Sequence, residues 1–151
     1  MGNSGKTCEL CTSAGGEILW TSPDCRVVRV ADAHYPGFCR VIWAAHVREM
    51  TDLSPAQRAA LMQVVFAVEG VVRRLFKPHK INLASFGNMV PHVHWHIIPR
   101  WPDDRHFPEP VWGAVQRAGQ LTLPEIDNAT LSRALEQALG AVNTDGIRHE
   151  H

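Results

Sequence analysis

This chain of 151 residues has no long apolar run, no surplus of either charge and few cysteines. Each absence excludes a class of protein. No stretch approaches the ~20 consecutive apolar residues that a membrane-crossing helix needs, so neither a span nor a membrane partner is expected. Fifteen basic residues balance fifteen acidic ones. Nucleic acid is therefore not an expected partner, because its binding rests on many Lys and Arg contacts to phosphates. A small ligand is the better expectation. There are four cysteines, and 45% of the residues are hydrophobic. A domain of this length typically buries ~68–70% of its unfolded surface, so its core can hold it without a disulfide framework. Residues 1–7 have no apolar stretch after the charge at Lys6, so no secretory signal is read there and a cytoplasmic address is expected. Internal repeats and low-complexity segments are lacking as well, and the length fits one domain over 1–151.

What is present reads as an α+β chain. Glu17 to Thr21 and Cys25 to Ala31 predict two strands of a hairpin, joined by the turn-prone Ser22-Pro23-Asp24. Phe38 to Ala44 predicts a third strand after Tyr35-Pro36-Gly37, with His46 just past its end. Ser54-Pro55 opens the longest helix as N-cap and first helical residue. Leu61, Val64, Val65, Val68, Val71, Val72 and Leu75 mark its apolar stripe, and Pro78 closes it. Ile81 to Phe86 and Val93 to Pro99 predict the fourth and fifth strands, giving a mainly antiparallel five-stranded sheet rather than repeated βαβ units. A proline-rich segment carrying Trp101, Phe107 and Trp112 follows as an ordered loop. A last helix is expected from about Thr130 to Ala141, before a frayed tail ending His149-Glu150-His151.

The most informative stretch is Pro91 to Arg100. His92, His94 and His96 fall on one face of a strand, because side chains alternate, and Val93, Trp95 and Ile97 then face the core. A solvated strand could carry such residues without purpose. An expression tag would lack the interleaved apolar residues and would sit at a terminus. Imidazoles in a row can serve covalent catalysis, acid–base catalysis or metal binding. With a rise of ~3.3 Å per residue, alternate side chains start roughly 7 Å apart, so one imidazole attacks and its neighbours orient it. A catalytic metal on His92, His94 and His96 is the competing reading. Cys8 and Cys11 form a Cys-x-x-Cys pair whose spacing suits zinc. Redox use of such a pair expects it after a strand and at a helix start. Cys25 and Cys39 read as buried packing residues. Gly5-Lys6-Thr7 imitates the end of a P-loop, but no strand precedes it.

His92-Val93-His94-Trp95-His96-Ile97-Ile98 resembles the His-φ-His-φ-His-φ-φ signature of the histidine triad (HIT) nucleotide hydrolases and transferases. The likeness runs over about residues 8–105, and about 106–151 would form a C-terminal helical extension. It implies a two-step reaction at the α-phosphate. His94 would attack phosphorus to give a nucleotidyl-histidine, and water would release the nucleoside monophosphate. His96 would hydrogen-bond phosphoryl oxygens or the leaving group, Asn82 would donate to phosphate and Asp32 would accept from ribose hydroxyls. Zinc-bearing members of the family, and the related galactose-1-phosphate uridylyltransferases, imply a closed structural zinc site on Cys8, Cys11, His46 and His92. The family also implies a homodimer. A metal-dependent hydrolase and a nucleotide-binding regulatory module with little catalysis stand as alternatives.

Two positions depart from the family pattern. Phe38 follows Pro36-Gly37 where many members carry a histidine, so a polar contact is missing, and His34 is the nearby candidate to replace it. Gly87-Asn88-Met89 replaces Gly-Gln-Ser or Gly-Gln-Thr. Asn88 is a shorter amide in the same substrate-binding role, and Met89 has no hydrogen to donate. Elsewhere Arg100 reads as solvated or ion-paired, Asp103 to His106 as a charged turn, and His79 as a surface residue. His106 would reach the site only if its loop folds back. Trp43 and Trp95 read as core aromatics.

Overall fold

The computed structural model describes residues 7–118, 122–123 and 125–140. The chain before Thr7, the expected helix end at Ala141 and the tail to His151 lie outside the described residues. A four-residue helical turn, α1 (Glu9–Thr12), precedes the strands β1 (Glu17–Thr21), β2 (Cys25–Arg29) and β3 (Cys39–Trp43). A 3-10 turn at Met50–Asp52 leads into α2 (Pro55–Phe76), followed by β4 (Lys80–Ala84), β5 (His94–Arg100) and α3 (Asn128–Leu139). The five strands form one sheet in the order β1-β2-β3-β5-β4, and every neighbouring pair is antiparallel. The α+β class and the five-stranded antiparallel sheet are as the sequence predicts.

Strand and helix limits differ from the sequence reading by at most two residues, and local chemistry explains two of the shifts. β2 stops at Arg29 because Asp32 turns the chain: its Oδ1 accepts from the His34 amide at 2.9 Å and its carbonyl accepts from the Tyr35 amide at 3.2 Å. β5 runs on through Pro99 to Arg100 although it lies inside the sheet. Its pairing with β3 ends at Cys39↔Ile97 while β4 continues to Lys80↔Arg100, so the missing proline amide falls where β5 has lost one neighbour.

α2 starts with a reciprocal cap in which the Ser54 hydroxyl accepts from the Gln57 amide and the Gln57 side chain accepts from the Ser54 amide. It ends at Phe76 with Lys77 in the left-handed conformation, just ahead of Pro78. Six of the seven stripe residues are buried, and Phe76 takes the last core position in place of the half-buried Leu75. That ring lies against Gly37, where a Cβ would stand 2.9 Å from Phe76 Cδ2.

α2 packs on the sheet face built from Cys25, Val27, Cys39, Val41, Trp43 and Ile97. Each fully buried aliphatic residue there contributes ~1.5–3 kcal/mol. α3 joins the same core through Leu131, Ala134 and Leu135, against α2 and β1, and the Trp20 indole donates to the Gly140 carbonyl at 3.1 Å. No described helix is long and apolar enough to cross a membrane. With one face of the sheet under the helices, the opposite face is left for β5's alternate residues His94, His96, Ile98 and Arg100.

Candidate active site and metal centre

On that opposite face the α1 turn is tied down beside the first histidine. The Cys11 and Thr12 amides both reach the Cys8 carbonyl, so the two thiols emerge from one helical turn. Leu10 and Cys8 pack with Val28 and Ile42. Arg26 fixes the segment by donating to the carbonyls of Leu10, Ser13 and Ala14 at 2.8, 3.0 and 2.9 Å. His92 Nε2–H donates to the Trp43 carbonyl at 2.6 Å, so its Nδ1 carries a lone pair toward the thiols. That Nδ1 lies 3.5 Å from Cys8 Sγ and 3.4 Å from Cys11 Sγ, and His46 Nδ1 lies 3.3 Å from Cys11 Sγ. The ligand atoms of all four residues fall within 4.8 Å of one another. A tetrahedral zinc with Zn–S ~2.3 Å and Zn–N ~2.05 Å has N···S edges of roughly 3.6 Å, so the donor set fits that ion in both chemistry and size. The sequence singles out these four residues, and they come together.

Two residues further along the chain, His94 Nδ1 lies 2.5 Å from the His92 carbonyl. A carbonyl only accepts, so Nδ1 carries a proton, and in the neutral ring the lone pair falls on Nε2. His94 is 9% exposed and its ring sits 5.0 Å from that of His96, at 79°. Burial, with His94 and Arg40 nearby, pushes His96 down to about 3, which makes it a neutral imidazole near neutral pH. Its Nδ1 is buried and has no hydrogen-bond partner among the described residues. An unmade bond at a buried nitrogen costs about 1–3 kcal/mol, which a bound acceptor or donor would recover.

Phe38, the departure from the family pattern, stands edge-on to the His96 ring at 5.8 Å. It substitutes an aromatic contact for a polar one. His34 does not replace that contact; its Nε2 accepts from Arg105 Nη1 at 2.8 Å. Asn82 lies on the histidine face, opposite Ile98, and its Oδ1 accepts from Arg100 Nη1 at 2.8 Å. Its amide hydrogens are thereby turned away from Arg100. Asp32 sits in the β2–β3 turn with one carboxylate oxygen on the His34 amide. Asn88 and Met89 are exposed on the loop before β5.

The sequence reading underrates the segment after Arg100. Arg100 is 2% exposed and ion-paired, and its donors are spent on Asp104, Asn82 and the Glu109 carbonyl. The guanidinium also lies 5.8 Å from the ring centres of both Tyr35 and Phe107. Asp104 is 1% exposed rather than part of a solvated turn. It accepts from Arg100, the Tyr35 hydroxyl and the amides of Trp101, His106 and Phe107. His106 stacks on Tyr35 and donates from Nδ1 to its hydroxyl oxygen at 2.6 Å. The loop does fold back, but Trp112 is what it brings to the site, 5.0 Å from His96. The Arg-x-x-x-Asp spacing could have signalled the pair. Nothing in the sequence signals the Trp112 contact, which is made across an irregular loop.

A sheet that presents one imidazole with its tautomer fixed, a neutral imidazole beside it and a closed Cys2His2 set defines a histidine-strand protein with a candidate nucleophile and a separate candidate metal centre. Residues 13–103 match the family model of the HIT domain, and the chain belongs to that family. A histidine triad protein of Bradyrhizobium japonicum is similar in structure, with TM-score 0.65 and 28% identity over 83% of this chain and 91% of that one. Over 78 residues the chain is 30% identical to an AP-4-A phosphorylase of Mycobacterium tuberculosis, covering 48% of this chain and 40% of that protein. Over 70 residues it is 36% identical to an asymmetrical bis(5'-nucleosyl)-tetraphosphatase of Schizosaccharomyces pombe, covering 43% and 38% of the two chains. The chain thus spans about two fifths of the length of the curated relatives it matches.

Proposed function

We propose that this protein is a nucleotide hydrolase or nucleotidyltransferase that cleaves at the α-phosphate through a nucleotidyl-His94 intermediate. The observation that carries this reading is the bond from His94 Nδ1–H to the His92 carbonyl, which sets the neutral ring in the tautomer whose Nε2 carries the nucleophilic lone pair. In the first step the Nε2 lone pair forms an N–P bond. The P–O or P–N bond to the leaving group breaks, and its electron pair goes with that group. In the second step a water oxygen displaces Nε2 from phosphorus and the nucleoside monophosphate departs. Phosphoryl transfer depends on positioning and on donors aimed at the equatorial oxygens. Neutral His96, with its unpartnered Nδ1, and the Asn82 amide held by Arg100 are donors on the same face as His94. Asp32 would accept from ribose hydroxyls with its second carboxylate oxygen, and Asn88 would reach the phosphates from its loop.

Cys8, Cys11, His46 and His92 would hold a zinc whose contribution is to fasten the N-terminal turn to the start of β5. Four protein ligands leave no position for substrate, so the role is structural. A catalytic metal on all three strand histidines fits less well, because His92 turns its free Nδ1 to the thiols while His94 spends its Nδ1 on a carbonyl. The substrates named for the relatives, dinucleoside tetraphosphates, are the first to try. On the same reading the whole of 1–151 is one domain, and two copies pair as a homodimer.

The test is hydrolysis of adenosine 5′-phosphoramidate by the wild type and by His94→Ala, with folding checked by circular dichroism. The expected result is turnover in the wild type, none above background in the variant, and a nucleotidyl adduct on the His94 peptide after a denaturing quench at alkaline pH, where the N–P bond survives. Equal turnover in both proteins would overturn the covalent route. Inactivity of the well-folded wild type on phosphoramidate and diadenosine tetraphosphate alike would favour the regulatory module.

A further inference from the structure

His96 is walled by three aromatic rings: Trp112 at 5.0 Å, Phe38 at 5.8 Å and Phe86 at 6.2 Å. Phe38 is buried, but Phe86 and Trp112 leave 59% and 52% of their surface in water. These two meet each other edge to face at 5.0 Å and 87°, so they do not stack on each other, and more than half the surface of each stays in water. Trp112 is not stranded there by a loose loop. Arg100 binds the Glu109 carbonyl at 2.6 Å, Arg117 binds the Phe107 carbonyl at 2.7 Å, and the Gly113 amide closes a turn on the Pro110 carbonyl at 2.8 Å. Water-exposed aromatic faces, held rigidly over a buried histidine with an unused nitrogen, are what a flat ligand group would cover.

The topology says which part of the ligand that is. β5 lies between β3 and β4, so the β2–β3 turn that carries Asp32 belongs to one flank of the histidines, and Phe86, two residues past β4, belongs to the other. If Asp32 takes the ribose of the transferred nucleotide, a group on Phe86 lies beyond the scissile bond, and Trp112, edge-on to Phe86 at 5.0 Å and to Phe38 at 6.4 Å, spans the gap over His96. We infer that the exposed faces of Trp112 and Phe86 form a stacking subsite for the second nucleobase of a dinucleoside polyphosphate, the base that departs with the leaving group. This rests on the nucleotidyl-His94 reading and names its substrate class. In the step concerned, His94 Nε2 bonds to the α-phosphorus. The bridging P–O bond breaks, its electrons stay on the departing nucleoside polyphosphate, and His96 donates to an oxygen of that departing phosphate.

The experiment compares two substrates that share the transferred adenylyl half. Diadenosine tetraphosphate carries a second base, whereas adenosine 5′-phosphoramidate has only an amine to lose. The wild type is set beside Trp112→Leu and Phe86→Leu, which keep apolar cover over His96 but remove the flat faces. Base stacking on an aromatic side chain is worth enough that the ratio of kcat/KM, dinucleotide over phosphoramidate, should fall about 5- to 100-fold in each variant. An unchanged ratio overturns the subsite, whether both substrates lose activity together or neither does. If the folded wild type turns over neither substrate, the transfer reading is what has failed, and the subsite is then judged by calorimetric binding. Diadenosine tetraphosphate must bind more tightly than adenosine 5′-tetraphosphate, by a margin that Trp112→Leu erases. Equal affinities of the two ligands overturn it.

Discussion

Replacing Asp104 by asparagine should destabilise the protein more than replacing its partner Arg100 by methionine, although both changes break the same ion pair. The asymmetry follows from what each leaves behind. Asp104→Asn leaves a guanidinium that is 2% exposed without its counter-charge, its acceptors reduced to a single asparagine oxygen, the Asn82 side chain and the Glu109 carbonyl. It also sets a donor-bearing amide among the N–H groups of Trp101, His106 and Phe107. An uncompensated buried charge of this kind costs about 3–5 kcal/mol. Arg100→Met leaves a carboxylate that still accepts from the Tyr35 hydroxyl and three backbone amides, so the loss should be nearer about 2–3 kcal/mol. At about 2–4 °C per kcal/mol for a chain of this size, Tm should fall about 6–20 °C for the first variant and about 4–12 °C for the second. Urea unfolding of zinc-loaded protein gives the free energies, provided the m-value is constant across the set. The double variant should lose less than the sum of the single losses. Strict additivity, or a loss below ~1 kcal/mol for Asp104→Asn, would refute the claim that these charges depend on each other. The pH dependence has a defined sign. Burial acts to raise the Asp104 carboxyl, but Arg100 and three backbone amides outweigh it and hold the group well below the usual carboxylate range. Its stabilisation is therefore complete above the unfolded value of about 3.9 and is lost as the pH falls below it.

Three further outcomes are expected. His96 is held neutral by burial, at about 3, so its contribution is full above the unfolded value of about 6.5 and declines as the pH falls from there; His96→Gln should flatten the stability-against-pH curve between about pH 6.5 and 4, and an unchanged slope would refute the burial argument. Cys11→Ser should cut bound zinc from about one equivalent toward zero and lower Tm, while His94→Ala keeps the metal; elemental analysis showing the reverse would place the ion on the catalytic histidines. Gly37→Ala drives a methyl group to within 2.9 Å of the buried Phe76 ring and should cost about 1–3 kcal/mol by urea unfolding, with Phe76→Leu recovering part of the loss; a neutral Gly37→Ala would mean that the ring moves freely.

The parts of this molecule legible in its sequence are those that rest on local periodicity or fixed spacing. Alternation placed His94 and His96 on one strand face, with His92 in the bend just before it, Ser54-Pro55 marked the start of α2, and Cys8-x-x-Cys11 marked a ligand pair. Residues whose role depends on distant partners were not legible in the same way. Asp104 looked like one charge in a solvated turn, and only the folded chain puts Tyr35 and Arg100 around it. Trp112 belongs to a loop without period, so its contact with His96 is set by tertiary anchoring rather than by any pattern of neighbours. Phe38 was noticed as a lost polar contact, but the edge-on packing it gains on His96 needed the register of β3 against β5.

The closure of the main core by α3 bears on how the chain is made. The Trp20 indole meets the Gly140 carbonyl 120 residues further along, and Leu19 shares its core with Leu131 and Leu135. During synthesis at ~5–20 residues per second, β1 must therefore wait roughly 6–24 s for the helix that covers it. Until α3 docks, Leu19 and the Trp20 indole lack the partners that α3 and Gly140 supply. The nascent chain is thus open to aggregation, or to capture by a chaperone, over an interval that closes only after every residue of the histidine strand has been translated.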